Sequence, residues 1–303
     1  MAEHAEYEAP ASAEMAARQN SDDALRLLLA QRRLHSRAKK WQSFRWIGLV
    51  LLGVAAPFVS VLIPGSAVAV GAVTGLWLFV GRTVLAWFET RSMTRAAAIQ
   101  ELLDLYIFKM PATIERTSVP SLEDIAVLAA APGGLRATAN KEKLLDWYPI
   151  AADHPGSETV AIAQRANASY TGRLIRTAVW VWAGLTLAWL VFLTIWSSVS
   201  ALSFGAILLG VIFPVLPAAL DVVEYLLSTW RAAQDREDLA NTIQSRIEGD
   251  APILGQELVA WQVQMYDLRR TTPQAPDWLY NLTRSRNEAA MHAAADELRR
   301  KKQ

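Results

Sequence analysis

Two stretches of this chain contain no Asp, Glu, Lys, Arg or His: residues 46–81, opening WIGLVLLGVAAPFVSVLIPG and 36 residues long, and residues 177–220, opening TAVWVWAGLTLAWLVFLTIW and 44 residues long. A helix crosses the ~30 Å hydrocarbon core of a bilayer in about 20 residues. Each run is therefore too long for one crossing and right for two joined by a tight turn. PGS at 64–66 and SSVS at 197–200 supply the turn chemistry. Four spans in two hairpins are predicted, at 46–63, 67–87, 177–196 and 202–222. Composition agrees, with 52% hydrophobic residues and 12 Trp in 303 residues.

The basic residues orient the hairpins. Arg26, Arg32, Arg33, Arg37, Lys39, Lys40 and Arg45 precede the first span, Arg91 and Arg95 follow the second, Arg173 and Arg176 precede the third, and Arg231 follows the fourth. Neither hairpin turn holds one, so the positive-inside rule places both termini and the central segment in the cytoplasm. Five parts result: a cytoplasmic arm and basic helix (1–45), hairpin one (46–87), a cytoplasmic inter-hairpin segment (88–176), hairpin two (177–222) and cytoplasmic C-terminal helices (223–303). Arg82, near the end of span two, is expected to snorkel to the headgroups. The first twenty-five residues are acidic and polar, unlike a cleavable signal peptide. Zero cysteines exclude disulfides.

The polar parts read as helical. Ile99, Leu102, Leu103, Tyr106 and Ile107 recur at helical spacing and define one buried face. Leu239, Ile243 and Ile247 recur every four residues before Gly249 and Pro252; a further helix runs to Arg270, and a last one starts at Asp277 as N-cap. No run of period two is long enough for a sheet. The fold class is all-α and polytopic.

Enzyme chemistry is hard to find. His4, His35, His154 and His292 are scattered and read as surface residues, so neither a metal site nor a triad is indicated. There is no phosphate loop and no nucleophile elbow; GAVTG at 71–75 matches the small-residue pattern of packed transmembrane helices. Asp221 and Glu224, at i and i+3 at the inner end of span four, either mark the membrane boundary or form a cation-attracting pore mouth in an assembly of copies. Pro57, Pro214 and Pro217 are candidate breaks in spans one and four. The stretch ahead of span three holds Asp146, Trp147 and Tyr148, then Gln164, Arg165 and Asn167. Stacking faces, a cation and an amide of this kind hold a nucleobase and a phosphate. The same groups also dock one helix on another; Asp146–Tyr148 and Arg165–Asn167 are expected to lie close together at the base of hairpin two, with Arg165 bridging to Asp146 as the first expectation and a ligand phosphate as the second. A helix from about residue 157 is expected to run through Arg165 into the membrane at 177, so that contacts there turn span three.

LLLAQRRLHSRAK before hairpin one, DWYP then AQRAN before hairpin two, and QMYDLRR then PDWLYNLTR near the end resemble the SMODS-associated four-transmembrane effector family of bacterial anti-phage defence, over about residues 25–300. Gln31, Arg32, Lys39, Arg269 and Arg270 within these stretches are secondary site candidates. The resemblance implies a multi-pass protein of the bacterial inner membrane with no catalytic residues and no cofactor. Its expected ligand is a cyclic di- or oligonucleotide from a neighbouring synthase, with no DNA or RNA partner, and its expected action is to permeabilise the membrane. Four nearly uncharged spans cannot line a water-filled pore alone, so a homo-oligomer is implied. A scaffold that binds a protein, or less readily a small transporter, is the alternative class.

Overall fold

The computed structural model describes residues 7–63, 65–112 and 119–302. His4 and the Pro64 of the first turn lie outside them. Among the described residues the chain is 82% helical and has no strand. The helices are α1 (Ser12–Gln19), α2 (Asp22–Leu62), α3 (Ala67–Phe108), α4 (Leu122–Ala129), α5 (Leu135–Lys141), α6 (Gly156–Val199), α7 (Phe204–Glu248), α8 (Gly255–Thr271) and α9 (Asp277–Lys302).

Length explains the architecture. α2, α3, α6 and α7 have 41, 42, 44 and 45 residues, or about 60–68 Å at 1.5 Å per residue. That is roughly twice the thickness of a bilayer's hydrocarbon core. One half of each helix is apolar enough to cross a membrane, and the other half continues without a break into a polar bundle. The chain is a multi-pass membrane protein whose spans and water-side bundle share the same four rods.

The helices run as hairpins, α2 along α3 and α6 along α7. The candidate breaks at the prolines do not interrupt them. Pro57 lies within α2 and Pro217 within α7, and both helices continue. Ahead of Pro214 the backbone widens into a π-helical turn at Leu208–Ile212, which relieves the clash between a proline ring and the carbonyl one turn earlier. A second π-helical turn, Gly81–Leu85, falls at Arg82 in α3.

Aromatic rings join the hairpins in the membrane half. Trp46 stacks on Trp182 at 5.9 Å and meets Tyr225 edge-on at 4.8 Å, while Phe58 touches Trp189, Phe192 and Trp196. The small residues of GAVTG make no such joint within the chain, since a side chain added at Gly71 or Gly75 would meet open space.

The bundle is held by one apolar core. Leu25, Leu28 and Leu29 of α2 meet Leu103, Ile107 and Phe108 of α3, Val160 of α6, Ile243 and Ile247 of α7, Leu258 and Met265 of α8, and Leu298 of α9. Each such side chain contributes about 2 kcal/mol by leaving water. The predicted spacing of Leu239, Ile243 and Ile247 is buried as expected. On α3 the expected face is corrected: Ile99, Leu103 and Ile107 are buried, but Leu102 and Tyr106 are only partly so, and Glu101 and Asp104 occupy the fully buried positions. The N-terminal arm closes the bundle. Met15 of α1 enters the core, and the Tyr7–Pro10 backbone crosses the starts of α6 and α8 so closely that a Cβ at Gly156 or Gly255 would lie 2.2 or 1.7 Å from its carbonyls.

Candidate functional site

Three stretches singled out in the sequence converge in the bundle. Tyr148 donates its hydroxyl to Asp104 Oδ1 at 2.5 Å; Arg269 Nη1 pairs with Asp104 Oδ2 at 2.7 Å and Glu101 Oε2 at 3.2 Å. Gln262 Nε2 donates to both carboxylates, at 2.8 and 2.9 Å, and its Oε1 accepts from Gln164 Nε2 at 3.0 Å. Gln164 also reaches the Leu258 carbonyl at 2.9 Å, and Gln19 accepts from the Tyr148 amide at 3.0 Å. All of these side chains are buried. The network therefore pins α1, α3, α6, α8 and the DWYP turn in one register, because a buried charge that loses its partner is costly.

Electrostatics follow from burial. Burial first, and then the Asp104 carboxylate, pushes the Tyr148 phenol well above its usual range, so it stays a proton donor. Burial alone pushes the Arg269 guanidinium down, but Asp104, Tyr148 and Glu101 outweigh it and hold the group above its ordinary value. Close by, Arg236 is buried, donates to the Leu268 carbonyl at 2.9 Å and Thr272 Oγ1 at 3.2 Å, and is brought down to about 9, by burial and then by Arg269. Arg236, Gln262, Glu101 and Asp104 carried no sequence signal. Arg236, Glu101 and Asp104 sit in helical stretches with polar or charged neighbours and Gln262 among apolar ones, and only the packing shows which turn inward.

Asp146 and Arg165 do not pair. Asp146 adopts a left-handed backbone conformation (φ 50°), which Asp tolerates better than most residues. It forms a reciprocal pair with Asn20, whose Nδ2 lies 2.8 Å from Oδ1 and whose Oδ1 accepts from the Asp146 amide at 3.0 Å. Arg165 instead points along α6 toward α7 and gives Nε and Nη2 to Gln244 Oε1, at 3.1 and 2.8 Å. Trp147 packs on the core, and Asn167 is half-buried on α6.

Arg165 lines a cleft of about 310 Å³ between α6 and α9, together with Ala166, Ser169, Tyr170, Arg173, Asn287, Ala290, Met291 and Ala294. Burial lowers the Arg165 guanidinium from its ordinary value, partly offset by Glu248. Among the described residues Arg173 makes no ion pair, and the buried Nδ2 of Asn287 has no hydrogen-bond partner. The cleft thus presents two guanidinium groups that no carboxylate bridges, an unsatisfied amide donor, a phenol and a hydroxyl. Such a set holds a phosphodiester. Its volume is at the small end of ligand pockets.

The remaining candidates lie elsewhere. Arg32 pairs with Glu142 at 2.9 Å; Lys39 reaches Asp277 at 2.6 Å, so Asp277 carries an ion pair where an N-cap was expected. Arg270 pairs with Asp267 at 3.0 Å, and Gln31 is buried with its Oε1 unpartnered. His35 is partly buried beside Gln100 and not a surface residue as expected. Arg82 turns from the headgroups to α7, with Nε 2.5 Å from Asp221 Oδ1 and Nη2 2.8 Å from Glu224 Oε2. The two acids proposed for a pore mouth are therefore held by a cation of the same chain. No group of His, Asp and Glu among the described residues is arranged to hold a metal ion.

Four helices able to span a membrane, continuing into a helical bundle, define a polytopic membrane protein. The chain belongs to the SMODS-associating 4TM effector domain family, whose model matches residues 13–298. It is a membrane effector associated with SMODS cyclic-oligonucleotide signalling. No curated protein and no solved structure matches the chain.

Proposed function

We propose that this protein senses a cyclic oligonucleotide in the cytoplasm and permeabilises the bacterial inner membrane as an oligomer, and that the cleft between α6 and α9 receives the ligand. One observation carries the reading. Arg165, Arg173 and the unpaired Asn287 amide face one cleft whose wall is the helix that becomes span three. Arg173 lies four residues, or about 6 Å, before that span begins. The start of α9 rests on the same place, where Leu279 and Ala275 pack on Leu174 and Ala178. A phosphodiester held by the two arginines of α6 and by the Asn287 amide of α9 would draw α9 against the base of span three and change the contacts of hairpin two.

A single chain offers no aqueous path, because its spans are apolar and Arg82 pairs with Asp221 and Glu224 at their inner ends. Permeation requires several copies. The test is binding of labelled cyclic oligonucleotides to the purified full-length protein in detergent, beside ion leak from vesicles holding it. Arg165→Ala and Asn287→Ala are expected to lose at least tenfold in affinity while keeping the fold, and to abolish ligand-induced leak. Full affinity without leak would make the cleft a coupling joint and move the ligand elsewhere.

A further inference from the structure

A second cavity, of about 460 Å³, opens between α2 and α3 and is lined by Leu34, Arg37, Trp41, Trp87, Phe88, Arg91, Ser92 and Arg95. Its chemistry is divided by height. Trp41 and Phe88 stack at 4.7 Å and Trp87 closes on Phe88 edge-on at 4.8 Å, giving an aromatic roof. Beneath it are three arginines. Arg95 is bound to Asp124, whereas Arg37 and Arg91 are exposed and make no ion pair among the described residues; Arg91 only covers the Trp87 ring, at 5.2 Å.

The position fixes what such a cavity meets. Trp87 and Phe88 end the apolar part of α3, and both remain exposed. Arg91 lies three residues further on, about 5 Å along the helix axis, which is within the headgroup layer flanking the hydrocarbon core. On α3, which leaves the membrane here, a long side chain leans back toward the helix N-terminus and so toward the lipid. Trp and Arg at this depth match the interfacial anchoring of membrane proteins, and basic pockets between spans hold anionic headgroups.

We propose that this cavity is a binding site for the phosphodiester of an anionic phospholipid, with Arg37 and Arg91 on the phosphate and the Trp41–Phe88–Trp87 roof against the glycerol and upper acyl chains. It is independent of the α6–α9 cleft, and so of the ligand assigned there. A lipid held here would tie the base of hairpin one to the leaflet while hairpin two moves.

The test uses the full-length protein purified in mixed micelles of phosphatidylglycerol and phosphatidylcholine, with retained lipid counted by native mass spectrometry. Wild type is expected to retain phosphatidylglycerol with a preference of about tenfold, as one to two headgroup contacts would give. Arg37→Gln with Arg91→Gln should bring the preference close to unity, and Arg37→Lys with Arg91→Lys should keep it. Neither arginine holds an ion pair, so the folded state should survive; Arg37→Gln alone, at an exposed site, gives the same direction if the pair does not fold. Absence of a preference in wild type, or a full preference in the Gln pair, overturns the proposal. Displacement of the lipid by inorganic phosphate or a soluble cyclic dinucleotide at matched concentration would assign the site to a solution phosphate and overturn the lipid assignment.

Discussion

The two halves of α2, α3, α6 and α7 share a backbone and obey opposite rules. In the bundle, Leu28, Leu103 and Ile243 are fully buried, and even Arg236, Glu101 and Asp104 are drawn inside. In the spanning half, only 17–28% of the residues in each apolar window are buried within the chain, and Leu51, Leu187 and Phe204 are 63%, 63% and 79% exposed. Water drives the first half together, because apolar area leaving it is stabilising. Lipid is as apolar as leucine, so the second half is joined by a few aromatic contacts and packs loosely. Specificity is accordingly concentrated in the bundle, where buried ion pairs fix the register, and the spans are joined by fewer contacts.

The sharpest break of that contrast is to remove the cation of the buried network. Arg269→Ala would leave Glu101 and Asp104 in the core without it, and the expected loss is about 3–5 kcal/mol. Such a loss would appear in thermal unfolding in detergent as a collapse of folded yield. Replacing all three charges by neutral residues of similar volume should recover most of it. Equal stability of Arg269→Ala and wild type would show that the network does not set the register.

Next in size is a charge placed on exposed apolar sites of each half. Leu187→Arg, in the middle of span three, is expected to cost about 2.5–3.5 kcal/mol of insertion, read as a loss of membrane-integrated protein. Val127→Arg in α4 is at least as exposed, at 75%. Its cost should stay within about 0.5 kcal/mol, as for surface positions in water. A similar cost at both sites would mean that the exposed belt does not face lipid.

In the bundle, acid should act through His35. Burial, then Lys39 and against them a hydrogen bond to Gln100, bring the His35 imidazole down to about 4 from its ordinary 6.5. The folded-state value is the lower one, so between pH 6.5 and 4 the unfolded chain binds the proton and the folded chain does not. Stability from this group is therefore complete above pH 6.5, falls as pH drops toward 4 and is flat below. The expected difference is about 3 kcal/mol. Comparing wild type with His35→Gln across that window isolates it from the carboxylates, which respond in both proteins.

The contrast also explains what could be read without coordinates. Uncharged runs of 36 and 44 residues fix spans by composition alone, and the Ile243–Ile247 repeat fixes a buried face by period. Ion-pair partners obey neither rule. Asp146 and Arg165 differ in charge and lie on neighbouring segments, yet the left-handed backbone at Asp146 turns its carboxylate to Asn20 and the α6–α7 packing gives Arg165 to Gln244. Glu101 and Asp104 look like the solvent face of a helix until α8 is laid across it. The cleft was half visible: Arg165 stood out beside span three, but Asn287 lies more than a hundred residues away and meets it only through the docking of α9.

A small change in stability is expected where the two halves meet. Arg82 holds Asp221 and Glu224; its side chain and that of Glu224 are 50% and 70% exposed, while that of Asp221 is 13% exposed. The exposed pair with Glu224 contributes about 0–1 kcal/mol, and Arg82→Ala should lower the unfolding temperature modestly, mainly through the shielded Asp221. Its effect on the spans should be larger than its effect on the fold. The pair is the charged link between the ends of spans two and four, and it sits at a π-helical turn of α3. Freed of Arg82, two carboxylates at i and i+3 would repel each other and attract cations at the base of hairpin two. Ion flux from vesicles in the absence of any ligand is expected to rise several-fold in Arg82→Ala and to return toward wild type when the charges are exchanged, as Arg82→Asp with Asp221→Arg. A silent Arg82→Ala, equal to wild type in both stability and resting flux, would show that the hairpins are held apart or together by the aromatic contacts alone.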